Sequence, residues 1–136
     1  MTDTDLIAAA RAAASRAYAP HSNFAVGCAV ESVDGQIALG ANVENACYRL
    51  GLCAEQAALA AAQQEFGLEN VVRIAVVAPS SKTVITPCGG CRQAIAEAAQ
   101  LSGRDIEILC VGTDHVDRHT IASLLPHRFG SDDLIA

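Results

Sequence analysis

The chain has 136 residues, is 51% hydrophobic and 18% charged, and carries a formal net charge of −6. That length suits one domain around one core. Only nine residues are Lys or Arg, Lys82 being the one Lys, and they form no run, which argues against a nucleic-acid backbone as partner and leaves a small neutral molecule as the better fit.

No apolar run reaches the roughly 18 residues that a membrane helix needs. The acidic start, Met1-Thr-Asp-Thr-Asp, lacks the basic opening of a secretory signal, so a cytoplasmic location is the expectation. In a reducing compartment, clustered cysteines point to metal or catalysis more than to disulfides. Of the six cysteines, Cys53, Cys88 and Cys91 form such a cluster, while Cys28, Cys47 and Cys110 sit among apolar neighbours and read as buried thiols.

In chain order, Thr4 to Tyr18 reads as an Ala-rich helix capped by Thr4, with Leu6, Ile7, Ala10 and Ala14 at helical spacing and Pro20 as its stop. Phe24 to Val33 alternates as a strand. Asp34-Gly35 signals a hairpin, and Gln36 to Val43 is the returning strand. Asn45 to Leu52 reads as a loop. Cys53 opens a helix to about Phe66, stopped at Gly67, and Val71 to Ala78 is a buried strand. After a loop to Pro87, Cys88 opens a helix to about Leu101, stopped near Gly103. Ile106 to Val111 is a strand, Thr120 to Leu125 a short helix, and the polar tail has room for one more helical turn. The pattern predicts a single α/β domain over residues 1–136, with a mixed sheet covered by helices on both faces. Its helical crossovers should join parallel neighbours.

Cys88 and Cys91 fall three apart on a first helical turn, so both sulfurs face one side. Gly89-Gly90 lets backbone approach, and Pro87 is pre-set for a helix start. Cys53 begins another helix. In a parallel α/β sheet such starts gather at the carboxyl ends of the strands, where these folds bind ligands. Three thiols can hold one zinc ion and leave its fourth position for water, with Glu55 two residues beyond Cys53 as a proton shuttle. Three thiolates and a hydroxide leave that site negative; two helix N-termini, each worth about half a positive charge, and Arg92 would offset it.

Taken alone, Pro-Cys-x-x-Cys fits a redox motif or half of a structural zinc knuckle equally well. A structural site wants a fourth protein ligand. Cys47, Cys110, His21, His115, His119 and His127 do not stand at ligand spacing from the pair. Cys53-Ala54-Glu55 joined to Pro87-Cys88-Gly89-Gly90-Cys91 matches the signature of zinc nucleobase deaminases as a class.

Four segments carry a closer likeness: Tyr18-Ala-Pro-His-Ser-Asn-Phe-Ala-Val-Gly27, Asn42-Val-Glu-Asn-Ala-Cys-Tyr48, Cys53-Ala-Glu55 and Pro87-Cys-Gly-Gly-Cys-Arg-Gln93. A fifth is Leu124-Leu-Pro-His-Arg-Phe129. On these the chain resembles the small, three-cysteine, homotetrameric cytidine deaminases, from Tyr18 to Leu134. The resemblance implies a three-layer α/β/α fold with a five-stranded mixed sheet and one Zn²⁺ per subunit on Cys53, Cys88 and Cys91. It implies hydrolytic deamination of cytidine and 2′-deoxycytidine to the uridine counterpart and ammonia in pyrimidine salvage, with zinc-bound hydroxide attacking C4 and Glu55 as proton shuttle.

For the substrate, the resemblance implies that Phe24 stacks on the pyrimidine and that Asn42 and Glu44 bind the ribose hydroxyls. The Ala54 N–H and Thr86 carbonyl should read the base edge. Phe129 should enter a neighbouring subunit's site, placing the sites at subunit interfaces of a homotetramer. Two positions depart from the family pattern. Gln56 stands where Arg is common; a neutral amide still donates to a zinc thiolate but brings no charge. Cys47 stands where Ser is common and reads as a bystander. The alternatives are a deaminase of blasticidin S or of a nucleoside monophosphate, a non-catalytic zinc module that would not need Glu55, and an editor of polynucleotide bases, which the acidic balance disfavours.

Overall fold

The computed structural model describes residues 1–134. Four α-helices and five strands follow one another as α1 (Asp3–Ala14), β1 (Gly27–Ser32), β2 (Ile37–Ala41), α2 (Ala54–Glu65), β3 (Val71–Val77), α3 (Gly89–Ser102), β4 (Glu107–Val111), β5 (Val116–Thr120) and α4 (Ile121–Leu124). Short 3₁₀ turns occupy Tyr48–Leu50, Leu68–Asn70 and Ser131–Asp133, the last being the helical turn expected in the tail.

The sheet runs β2-β1-β3-β4-β5, with β3 and β4 parallel and the other neighbours antiparallel. The expected five-stranded mixed sheet is therefore present. Only the β3–α3–β4 crossover joins parallel neighbours. The β2–α2–β3 crossover joins strands of one direction with β1 lodged between them, because the β1–β2 hairpin inserts its first strand next to β3. The shared direction of β2 and β3 has the consequence that matters: the starts of α2 and α3 fall at the same end of the sheet.

Alternation along the strands sorts side chains into two cores. Leu6 and Ala10 of α1 meet Ala29, Ala75, Val77, Leu109 and Val111 on one face. The opposite face, with Cys28, Val30, Ile74, Val76 and Ile108, is covered by Ala54, Ala58 and Ala62 of α2 and Ile95 and Ala98 of α3. Each fully buried Ile, Leu or Val contributes about 1.5–3 kcal/mol. Helices this rich in Ala come close to the strands. A Cβ on Gly40 of β2 would stand 2.3 Å from the Ala58 nitrogen and 2.6 Å from the Ala54 oxygen, so glycine there lets α2 lie against the sheet.

Three expectations are corrected. The first helix is capped two residues earlier than expected, at Thr2 and not Thr4, and ends at Ala14, before Tyr18. Thr2 is the N-cap, its hydroxyl accepting from the Asp5 N–H at 3.1 Å while Asp5 accepts from the Thr2 N–H. After Ala14 the chain leaves the helix, and Tyr18 pairs with the segment beyond β2: its N–H donates to the Asn42 carbonyl at 3.0 Å and its carbonyl accepts from the Glu44 N–H at 2.8 Å. Second, the stretch 116–120 is a strand that pattern alone did not reveal. Val116-Asp-Arg-His-Thr is polar because β5 is a sheet edge, where charge blunts further pairing. Third, Cys47 is exposed, whereas Cys28 and Cys110 are buried as expected. It lies on the loop entering the Tyr48 turn, its N–H bound to Asn45 Oδ1 at 2.8 Å.

Arg73 of β3 ties the N-terminus down, pairing with Asp3 and, at 2.7 Å, with Glu31, while Arg118 of β5 pairs with Asp3 and Glu107. No helix among the described residues is long and apolar enough to cross a membrane.

Candidate active site

Two helix starts build the site. Cys53 is the N-cap of α2 and Cys88 the N-cap of α3, with Cys91 in the first turn of α3. A pair of backbone bonds sets the position of Cys53: Val43 N–H to the Leu52 carbonyl at 3.0 Å, and Leu52 N–H to the Val43 carbonyl at 2.8 Å. That bridge holds the residue before Cys53 against the continuation of β2. The three sulfurs all lie within 4.8 Å of one another.

The donor set fits zinc. Tetrahedral Zn–S bonds of about 2.3 Å place sulfurs about 3.8 Å apart, within the spread seen here. Electrostatics points the same way. Burial pushes the Cys53 and Cys91 thiols up, and the nearby Glu55 charge pushes both further. The Cys88 thiol is lowered, chiefly by the Cys91 N–H of the α3 first turn. Three soft donors and a carboxylate this close resist ionising together, and a divalent cation is what relieves that repulsion.

Gln56 Nε2 donates to Cys91 Sγ at 3.6 Å, so the residue expected beside the thiolates does reach one. Arg92 is turned elsewhere. Its guanidinium donates to the Pro87 carbonyl at 2.7 Å, the Leu124 carbonyl at 2.9 Å and Thr86 Oγ1 at 3.0 Å, clamping the Thr86–Pro87 loop to the end of α4.

Glu55 is 5% exposed, and burial raises its carboxyl above the usual carboxylate range. It lines a cleft of about 380 Å³ together with Cys53, Ala54, Cys88, Asn42 and Glu44. Ala54 opens α2, so its N–H belongs to the first-turn donors without an intrahelical acceptor. The structure thus brings six of the sequence-selected residues to one cleft, with Cys91 buried beneath it. Phe24, Thr86 and Phe129 are not among the residues lining it. Phe24 is about one-third exposed at the end of the Pro20–Phe24 turn, Thr86 is exposed, and Phe129 is 56% exposed with its carbonyl held by Gln93 Nε2 at 2.7 Å.

Asn42 and Glu44 lie just beyond β2 and also hold the preceding loop. Asn42 Nδ2 donates to the Phe24 carbonyl and Oδ1 accepts from the Val26 N–H, both at 2.8 Å. Glu44 Oε1 accepts from the N–H groups of His21 and Ser22 at 2.9 and 3.1 Å, and Oε2 from the Ser22 hydroxyl. These contacts hold its carboxyl below the usual range, the Ser22 hydroxyl first among them. The cleft walls Val26, Tyr48, Leu52 and Ile85 were not singled out from the sequence. Tyr48 closes one of the motif segments, which was the available signal for it.

The family model for the cytidine and deoxycytidylate deaminase zinc-binding region matches residues 1–102. A cytidine deaminase of Halalkalibacterium halodurans is 42% identical over 130 residues, covering 95% of each chain. One from Mycobacterium tuberculosis is 41% identical over 123 residues, covering 90% of this chain and 85% of that one. The crystal structure of cytidine deaminase from Burkholderia pseudomallei superposes with a TM-score of 0.86 at 40% identity, covering 95% of this chain and 100% of that one. With three converging sulfurs, a buried glutamate beside them and likeness over nearly its whole length, the chain belongs to the cytidine and deoxycytidylate deaminase family.

Proposed function

We propose that this chain is a zinc-dependent enzyme that hydrolyses cytidine and 2′-deoxycytidine to uridine and deoxyuridine, consuming one water and releasing ammonia. The observation that carries it is the buried Glu55 beside the converging sulfurs of Cys53, Cys88 and Cys91, lining a cleft of about 380 Å³, roomy enough for a nucleoside.

Zinc, when bound by the three thiolates, lowers the pKa of water toward about 7 and so supplies a nucleophile at neutral pH. Glu55 moves the protons. Its raised carboxyl is suited to accept the proton that water gives up, hand it to the pyrimidine ring nitrogen, and deliver the next to the departing amine. The Ala54 N–H, free at the start of α2, and the Thr86 carbonyl orient the base. Phe24 stacks on it. Asn42 and Glu44 take the sugar hydroxyls with the hydrogen-bonding capacity left over from the loop they hold.

A free nucleoside is favoured over a monophosphate. No Lys or Arg is among the residues lining the cleft, whereas Glu44 presents a carboxylate to it. Arg128 is engaged with Asp132 at 3.0 Å. The same anionic lining disfavours a polynucleotide.

The proposal extends to a single deaminase domain over residues 1–136, to a cytoplasmic role in pyrimidine salvage, and to a homotetramer in which Phe129 completes a neighbour's site. Six free cysteines suit a reducing compartment. Exposed Tyr48, Leu50, Leu52 and Phe129 suit burial between subunits.

The test is cytidine-to-uridine conversion by the purified protein and by Glu55→Gln, with zinc measured on both. Turnover by the unsubstituted enzyme alone, with zinc in both, is the expected result. Zinc in both and turnover in neither overturns the substrate assignment, and deoxycytidine, cytidine monophosphate and blasticidin S are then the substrates to try. For the assembly, mixing Phe129→Ala with Glu55→Gln chains should recover part of the activity both lack alone.

A further inference from the structure

One hydroxyl stands between Glu44 and the backbone of Phe24 in the turn that presents the ring. Ser22 Oγ donates to Glu44 Oε2 and accepts from the Phe24 N–H at 3.1 Å. The next residue, Asn23, is held at φ 56, a left-handed conformation that Asn tolerates better than most and that makes the turn tight. Glu44 also takes the N–H groups of His21 and Ser22, and Asn42 takes the Phe24 carbonyl and the Val26 N–H. Apart from the Asn23 N–H, which donates to the Ala19 carbonyl at 2.9 Å, these polar anchors of the segment from His21 to Val26 end on Asn42 or Glu44, directly or through Ser22.

We propose that Ser22 is a positioning residue that couples sugar recognition at Glu44 to placement of the Phe24 ring. This rests on the functional reading above, in which Glu44 meets the sugar and Phe24 the base. A hydroxyl between the two is suited to the task because it donates and accepts at once. One oxygen holds both the aim of the carboxylate and the backbone position of the aromatic. A sugar hydroxyl arriving at Glu44 meets a carboxylate already oriented, and the ring is in place for the base. The lowered carboxyl of Glu44 keeps it an acceptor throughout the neutral range.

The zinc-loaded enzyme tests this with Ser22→Ala, Ser22→Thr, Phe24→Leu and the Ser22→Ala/Phe24→Leu double variant. Ser22→Ala is expected to raise KM for cytidine about tenfold with kcat unchanged, as loss of a charge-assisted hydrogen bond would. Ser22→Thr keeps the hydroxyl and restores KM. In the Phe24→Leu background, Ser22→Ala raises KM less than in the unsubstituted enzyme, because the ring it positions is gone and only the aim of Glu44 is left to lose. Independently of turnover, hydrogen exchange of the Phe24 amide should quicken several-fold in Ser22→Ala and not in Ser22→Thr, with the melting temperature recording that the fold is retained. Additive effects in the double variant, a Thr variant as impaired as Ala, or an unchanged Phe24 amide each overturn the coupling. An unsubstituted enzyme that leaves cytidine untouched while the Phe24 amide responds as expected overturns the functional reading, and the coupling to substrate with it.

Discussion

Gln56 Nε2 donates to Cys91 Sγ across 3.6 Å, joining the first turn of α2 to the first turn of α3. This contact holds the buried sulfur of the cluster from the helix that carries Cys53. Residues that orient a metal ligand typically change metal affinity by about 10–100-fold when removed. Gln56→Ala should weaken zinc binding by about tenfold, read by competition with a chromophoric chelator. An unchanged affinity would mean that packing alone orients Cys91.

Glu55→Gln separates catalysis from binding. Turnover should fall by about 10²–10⁴-fold, the usual worth of a proton-transfer group, with zinc retained. The metal-free forms should differ in stability as well. Burial raises the folded-state carboxyl above its value of 4.5, so the folded state binds more protons than the unfolded one between those two values. Stability therefore declines as pH rises through that window. The Gln variant lacks this decline, so above the window its melting temperature should exceed that of the metal-free unsubstituted chain. Equal melting temperatures from pH 4 to 8 would remove the desolvation account.

Glu44 titrates with the opposite sign. Its carboxyl is lowered from 4.5, first by the Ser22 hydroxyl, so its hold on the Pro20–Phe24 turn is complete above pH 4.5 and lost as pH falls through the folded value. Carboxyl-carbon NMR should place the Glu44 midpoint below 4.5 in the zinc-loaded enzyme. In Ser22→Ala the midpoint should move up toward 4.5.

Gly40→Ala should damage the site from the far side of α2. The added Cβ would sit 2.3 Å from the Ala58 nitrogen, backbone that can move only if the helix moves. Overpacking of this kind costs about 1–3 kcal/mol. Because Cys53, Ala54 and Glu55 ride on the same helix, zinc affinity should drop together with the melting temperature. A lowered melting temperature with unchanged zinc affinity would show that the start of α2 adjusts independently.

Cys47 stands outside the sulfur cluster, on an exposed loop. Cys47→Ser should keep stoichiometric zinc and full turnover. Metal loss in that variant would identify a ligand role.

Much of this molecule was legible in the chain alone. Helical spacing located α2 and α3, and continuous apolar runs located β3 and β4, to within a residue or two, with markers such as Gly103 at φ 68 closing them. The metal set was legible too, since Cys88 and Cys91 are neighbours on any helical turn. Cys53-Ala-Glu55 and Pro87-Cys88 place catalytic chemistry at helix starts wherever the helices go. Tertiary structure decided the rest. The strand β5 carries no alternation strong enough to read, because an edge strand is defined by the neighbour it lacks on one side. Arg92 looked like a charge for the thiolates and instead ties Pro87 to Leu124, which depends on where α4 lies. Asn42 and Glu44 read as sugar ligands, yet their grip on the turn from His21 to Val26 appears only once Tyr18 has paired with the continuation of β2. Local periodicity and short-range spacing are written into neighbouring residues. Contacts between residues distant in the chain depend on the packing of the elements between them, and those contacts give this site its shape.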